Sequence, residues 1–125
     1  MLIDLGVNLS NVRFEKDIEA VLERAQEAGV ERLILTGTSI EESQIVVAIC
    51  NQYAQQFPAM LYATAGIHPH EAAHADTDTL RGIRSLLDDP LVRAVGETGL
   101  DFNRDYSPRP VQESVFAAHL LMAVQ

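Results

Sequence analysis

The sequence predicts a parallel α/β fold built from four βα units. Three observations carry that reading: a hydrophobic pattern that switches between a strand period and a helix period, a near-constant stride, and polar or glycine-rich residues after every strand-like run. The runs are Leu2–Val7, Arg32–Thr36, Met60–Ala65 and Leu91–Gly96, and their starts lie 30, 28 and 31 residues apart. That stride accommodates one strand, one crossover helix and two short connections.

The first and third runs do not alternate cleanly, which predicts strands buried on both faces of a parallel sheet. After the first run, Phe14, Ile18, Val21, Leu22, Ala25 and Ala28 recur at helical spacing, with Glu15, Lys16, Glu19, Glu23 and Arg24 on the opposite face. Gly29 stands where a left-handed residue would close that helix. Ser39 with Glu42 three residues on is a capping-box signature for a second helix through Ile45, Ile49 and Tyr53. A third helix is expected over Thr77–Asp88, with Leu80, Ile83 and Leu87 inward and Pro90 stopping it. A fourth opens after Pro108 or Pro110 and is still running at Leu120–Val124. Periodicity alone admits either a small doubly wound sheet or an arc of a (β/α)8 barrel; a final helix with no C-cap favours the arc.

Composition narrows the function classes. With 125 residues, 47% apolar and 22% charged, the chain has the balance of an ordinary folded domain. No apolar run approaches the ~20 residues of a membrane span, and the first residues lack the pattern of a secretory signal. The single cysteine, Cys50, excludes an internal disulfide and a cysteine zinc cage; it falls on a helix among Val46, Val47 and Ile49 and reads as core. Cytoplasmic residence is the expectation. The net charge of −9 argues against a broad basic surface for nucleic acid. It leaves room for an acidic pocket that meets phosphate through a divalent cation.

In parallel α/β folds, sites form at the carboxyl ends of the strands. The four exits are Gly6-Val7-Asn8, Thr36-Gly37-Thr38, Gly66-Ile67-His68-Pro69-His70 and Gly96-Glu97-Thr98-Gly99-Leu100-Asp101. Glu97 follows a run expected to be interior, where a carboxylate needs a cation or several donors; the alternative is a solvated carboxylate at a strand end. Asp101 is either a supporting partner of the site or an Asx-turn former. His68 and His70, two apart on an extended segment, would point the same way as metal ligands. Alternatively, one of the two simply begins the next loop, or His68 contacts substrate or phosphate. Thr36-Gly37-Thr38 is a weak anion cradle, and Asn103, Arg104 and Arg109 are either phosphate contacts or a solvated charged loop. His74 and His119 read as loop and helix-surface residues.

Four motifs in colinear order, Ile3-Asp4-Leu5-Gly6-Val7-Asn8-Leu9, Thr36-Gly37-Thr38 with Glu42-Ser43, Ala65-Gly66-Ile67-His68-Pro69-His70 and Gly96-Glu97-Thr98-Gly99-Leu100-Asp101-Phe102-Asn103-Arg104, resemble the TatD family of metal-dependent deoxyribonucleases, in its TatD-like branch. The resemblance implies a TIM-barrel (β/α)8 metal-dependent hydrolase, present here as a partial barrel of about four βα units spanning 1–125, with no second domain. It implies a divalent cation, Mg²⁺ above all, and 3′→5′ exonuclease action on single-stranded DNA and RNA. Glu97 matches the family's metal-ligand glutamate, His68 the histidine that contacts substrate phosphate, and Asp101 a supporting aspartate. Asn8 and His70 complete the candidate set for substrate or supporting contacts. Gly6 and Asn8 replace the His-x-His pair found in most of the family, a departure this branch shares. The family's later histidine ligands and its water-activating aspartate have no counterpart before residue 125, so no catalytic base is assigned. The expectation is a truncated chain inactive alone. The competing expectations are a related hydrolase with another substrate, or a non-catalytic α/β module that self-associates through open half-barrel edges.

Overall fold

The computed structural model describes residues 2–125. Four strands, β1 (Leu2–Val7), β2 (Val30–Leu35), β3 (Leu61–Ala65) and β4 (Val92–Val95), form one sheet in the order β1-β2-β3-β4. All three pairings are parallel. The connections carry helices α1 (Ile18–Glu27), α2 (Ile40–Tyr53) and α3 (Thr77–Leu86), with a 3₁₀ segment over Pro69–His74, and α4 (Arg109–Ala123) follows β4. No helix among the described residues is long and apolar enough to cross a membrane.

The helices cover one face of the sheet. Leu33, Leu35, Leu61 and Ala63 pack with Leu22 of α1 and Val46, Val47, Ile49 and Cys50 of α2, all buried. Ala65 joins Ile67, Ile83 of α3 and Val115 of α4 in a second cluster. The alternate strand residues Ile3, Leu5, Arg32, Ile34, Tyr62 and Arg93 line an open concavity of about 490 Å³ on the other face. A sequential strand order with helices on one side is the arc of a barrel and rules out the doubly wound sheet. It also corrects the expectation of strands buried on both faces. Ile3 is 45% and Leu5 73% exposed, because no described element lies over the concave face.

Local signals explain most boundaries. Ser39 is extended, and its Oγ accepts the Glu42 amide at 3.1 Å; the Glu42 side chain lines the cleft described below. Asp76 caps α3 by accepting the Thr79 amide. Gly29 takes φ +86°, the left-handed conformation its position required. The helical pattern from Phe14 begins as tight turns, Phe14 N to Asn11 O and Asp17 N to Phe14 O. Regular helix therefore starts only at Ile18, although Phe14 still packs on the core.

Candidate active site

The strand exits are tied to one another by backbone hydrogen bonds. The His68 amide donates to Thr38 O at 2.8 Å, the Glu97 amide to Gly37 O at 2.7 Å, and the Gly96 amide to Ala65 O at 2.9 Å. Ser43 of α2, fully buried, donates its hydroxyl to Gly66 O and accepts the Gly66 amide. These bonds place the residues after β2, β3 and β4 at one end of the sheet. The Gly96–Glu97 peptide is cis.

Two adjoining hollows open there. A cleft of about 470 Å³ is lined by Asn8, Thr38, Glu42 and Glu97 with Gly6, Ser10, Asn11 and Thr36. A second, of about 320 Å³, is lined by Thr38, His68, His70, Glu71 and Glu97. Thr38 and Glu97 border both. His68 Nε2 lies 3.7 Å from Glu97 Oε1, with the two side chains 24% and 54% exposed. Because His68 Nδ1 accepts the His70 amide at 3.1 Å, a neutral His68 carries its proton on Nε2, facing Glu97. Asp101 borders neither hollow and reaches the site through His70, whose Nε2 sits 2.6 Å from Asp101 Oδ2.

Asp101 makes both a turn and a contact to His70. Its Oδ1 accepts the Asn103 and Arg104 amides, an Asx-type turn, while Oδ2 takes His70 and the Arg104 guanidinium. The Arg104 amide first, and His70 next, hold this carboxyl well below the usual carboxylate range. Glu97 does not match its expected setting. It stands more than half exposed rather than in an interior run, because β4 is an edge strand with one uncovered face. Burial therefore supplies no argument that Glu97 needs a cation.

The anion cradle at Thr36-Gly37-Thr38 is largely spent, the Thr36 amide on Val7 O and the Gly37 amide on Thr64 Oγ1. Arg104 is paired with Asp101, and Arg109 is held by Asp105 and lies over the Phe102 ring. His74 is exposed and pairs with Glu71.

His119 is the clear misreading. It is buried at 1% exposure, Nε2 accepts the Ile67 amide at 3.0 Å, and Nδ1 lies 2.7 Å from Val115 O. Burial lowers its pKa, against the opposing pull of the Val115 carbonyl. Sequence reasoning also missed Gln112 and Ser107. Gln112 Oε1 accepts the Asp101 amide and its Nε2 donates to Ser107 O. Ser107 Oγ donates to His70 O and accepts the Ala73 amide. Gln112, Val115 and His119 are the buried residues of α4, and their i, i+3, i+7 spacing was the signal that His119 faces inward.

The fold and this site define a class: a partial (β/α) barrel presenting carboxylates and imidazoles from the carboxyl ends of its strands. The model of the TatD related DNase family matches residues 3–125, and the chain belongs to that family. Among curated relatives, it is 44% identical over 124 residues to the 3′-5′ ssDNA/RNA exonuclease TatD of Dickeya dadantii (strain 3937), covering 99% of this chain and 46% of that protein. It is 42% identical over 122 residues to the protein of that name from Rahnella sp. (strain Y9602), covering 98% of this chain and 45% of that one. The chain thus spans about half the length of the curated relatives it matches. A crystal structure of a TatD homologue from Escherichia coli K12 superposes with a TM-score of 0.83 at 32% identity, covering 98% of this chain and 46% of that one. That of a TatD family hydrolase from Entamoeba histolytica gives 0.88 at 26% identity, over 97% and 45%.

Proposed function

We infer that this chain is the N-terminal half of a TatD-type barrel that hydrolyses phosphodiesters of single-stranded DNA and RNA from the 3′ end. The observation that carries the reading is the meeting of Glu97 and His68, 3.7 Å apart at the rim of the cleft, in a chain of this family. Among the described residues no group of three or more His, Cys, Asp or Glu side chains converges to hold a metal. The oxygen donors lining the cleft, Glu97, Glu42 and Asn8, fit a hydrated Mg²⁺, which keeps most of its waters and takes one or two carboxylates. Glu97 would hold the cation, which when bound polarises the phosphate and lowers the pKa of water. His68 presents Nε2–H to a phosphate oxygen. His70 keeps its place through Asp101, and Asp101 through Gln112.

One carboxylate with a hydrated cation is fewer than the roughly three protein groups that usually fix a catalytic metal while leaving a position for water. The 125-residue chain is therefore expected to bind single-stranded DNA weakly in Mg²⁺ without turning it over. The test is nucleotide release from a 3′-labelled single strand with and without EDTA. Turnover that EDTA stops and Glu97→Ala abolishes would show that these four units suffice. A chain extended through four further βα units should be active and lose activity on Glu97→Ala. Continued full activity of that variant would remove Glu97 from the metal site. This reading takes the cytoplasm as the compartment, where the lone thiol of Cys50 stays reduced.

A second reading, self-association, is favoured by the uncovered concave face and by β1 and β4, the two open edges of the sheet. Sedimentation should show a concentration-dependent dimer that Leu5→Lys disperses; a monomer throughout the micromolar range removes this reading.

A further inference from the structure

We propose that Tyr106 is a stacking platform for a nucleobase next to the phosphate bound at Glu97 and His68, an inference that rests on the nucleic-acid reading above. A file of rings leads out of the site. His68 meets His70 edge-to-face with centroids 4.2 Å apart, and His70 meets Tyr106 in the same manner at 4.7 Å. The inner end of the file is the imidazole beside Glu97; the outer end, Tyr106, is 68% exposed. An edge-to-face contact with a single neighbour leaves at least one face of the Tyr106 ring open. A nucleobase offers a flat π surface that stacks on an open aromatic face.

Tyr106 is also held ready. Its neighbour Ser107 is fully buried and bonded to His70 O and the Ala73 amide. On the other side, the Asp105 amide donates to Asp101 O. The loop is thereby fixed at both shoulders of the tyrosine, so stacking costs little ordering entropy. Phe102 is less exposed, at 37%, and one face of its ring is taken by the Arg109 guanidinium at 4.8 Å, anchored by Asp105. An acidic chain with its nearby arginines already paired has little charge to grip a strand. Stacking supplies affinity that does not depend on charge, and it tolerates any base.

The experiment measures binding of a labelled single-stranded octanucleotide to the 125-residue chain in Mg²⁺. One probe carries 2-aminopurine at its last two 3′ positions; the other is abasic there, with the same length and charge. The wild type should prefer the base-bearing probe by roughly 5- to 150-fold, the span of one base–aromatic stack, and quench its fluorescence. Tyr106→Ala should erase the preference without changing affinity for the abasic probe, and Tyr106→Phe should keep it. Equal binding of both probes by the wild type, or an unchanged preference in Tyr106→Ala, overturns the platform while leaving the nucleic-acid reading intact. Loss of the preference in Tyr106→Phe overturns it too, since the hydroxyl rather than the ring would be the contact. If the wild type binds neither probe, the nucleic-acid reading falls and the platform with it.

Discussion

Replacing His119 tests the link between α4 and the β3 exit. In His119→Leu the Ile67 amide, inside a residue only 1% exposed, loses its acceptor, and a buried donor left unpaired costs about 1–3 kcal/mol. The Val115 carbonyl loses a side-chain donor as well, although it can still accept from the helix backbone. Side-chain volume changes little, so no large cavity adds to the loss. With a urea m-value of about 2 kcal/mol/M, the midpoint should fall by about 0.5–1.5 M at pH 8, with m unchanged. His119→Gln, whose amide both accepts and donates, should recover most of it. The pH dependence separates this role from packing. Burial holds the folded pKa of His119 below its ordinary 6.5, so the unfolded chain takes up the proton first as pH falls. Stability from this residue is therefore full above about pH 6.5 and declines below it, with a slope of at most about 1.4 kcal/mol per pH unit. The slope ends once the folded state is protonated too. His119→Gln should lack that share of the acid decline. A Leu variant as stable as the wild type at pH 8, or an identical acid decline in the Gln variant, would refute the reasoning.

Three further outcomes are expected. Gly66→Ala would set a Cβ within 2.6–2.8 Å of the Gly96 backbone, and no flexible side chain can yield there; a loss of about 1–3 kcal/mol or more is expected, with altered His68 resonances by NMR. Burial first, and Asp89 next, push the Cys50 thiol up to about 12, so in the native chain it should resist thiol reagents at pH 8 and react only on unfolding; rapid native labelling would contradict its placement in the core. Asp101 is held below its ordinary 3.8, chiefly by the Arg104 amide, so its contribution is present above about pH 4 and lost as pH falls further. Asp101→Asn should flatten that part of an acid-unfolding curve, and an unchanged curve would count against the pairing.

What could be read from the sequence follows from how local each cause is. The strand runs and their stride were legible because pleat and helix periods act over a few residues, and the Ser39 and Gly29 signals depend only on neighbours. Glu97 was placed at the right strand end but in the wrong environment. A run such as Leu91–Gly96 cannot reveal that its strand is an edge with one face uncovered, because that depends on elements distant in sequence. His119 failed for a different reason: histidine is assigned to surfaces by habit of composition, while its register with Gln112 and Val115 placed it inward. Ser107 carries no periodic signal, and only the fold brings it under His70.

The open concave face does not leave the strand-end site unformed, as the hydrogen bonding there makes plain. The position of Glu97 is set by its own amide on Gly37 O, and that of His68 by its amide on Thr38 O, so both side chains hang from the exit of β2. Gly66, between β3 and His68, is clasped at both amide and carbonyl by the buried Ser43. None of these bonds involves the residues of the concave face, Ile3, Leu5, Arg32, Ile34, Tyr62 and Arg93. The rim geometry is thus fixed by backbone bonds among the exits of β2, β3 and β4 and by the Ser43 hydroxyl of α2, on the side where the core is closed. Covering the concave face should raise stability through burial of Ile3 and Leu5 while moving the Glu97–His68 pair little. The site is arranged by the closed, helix-covered face of the sheet.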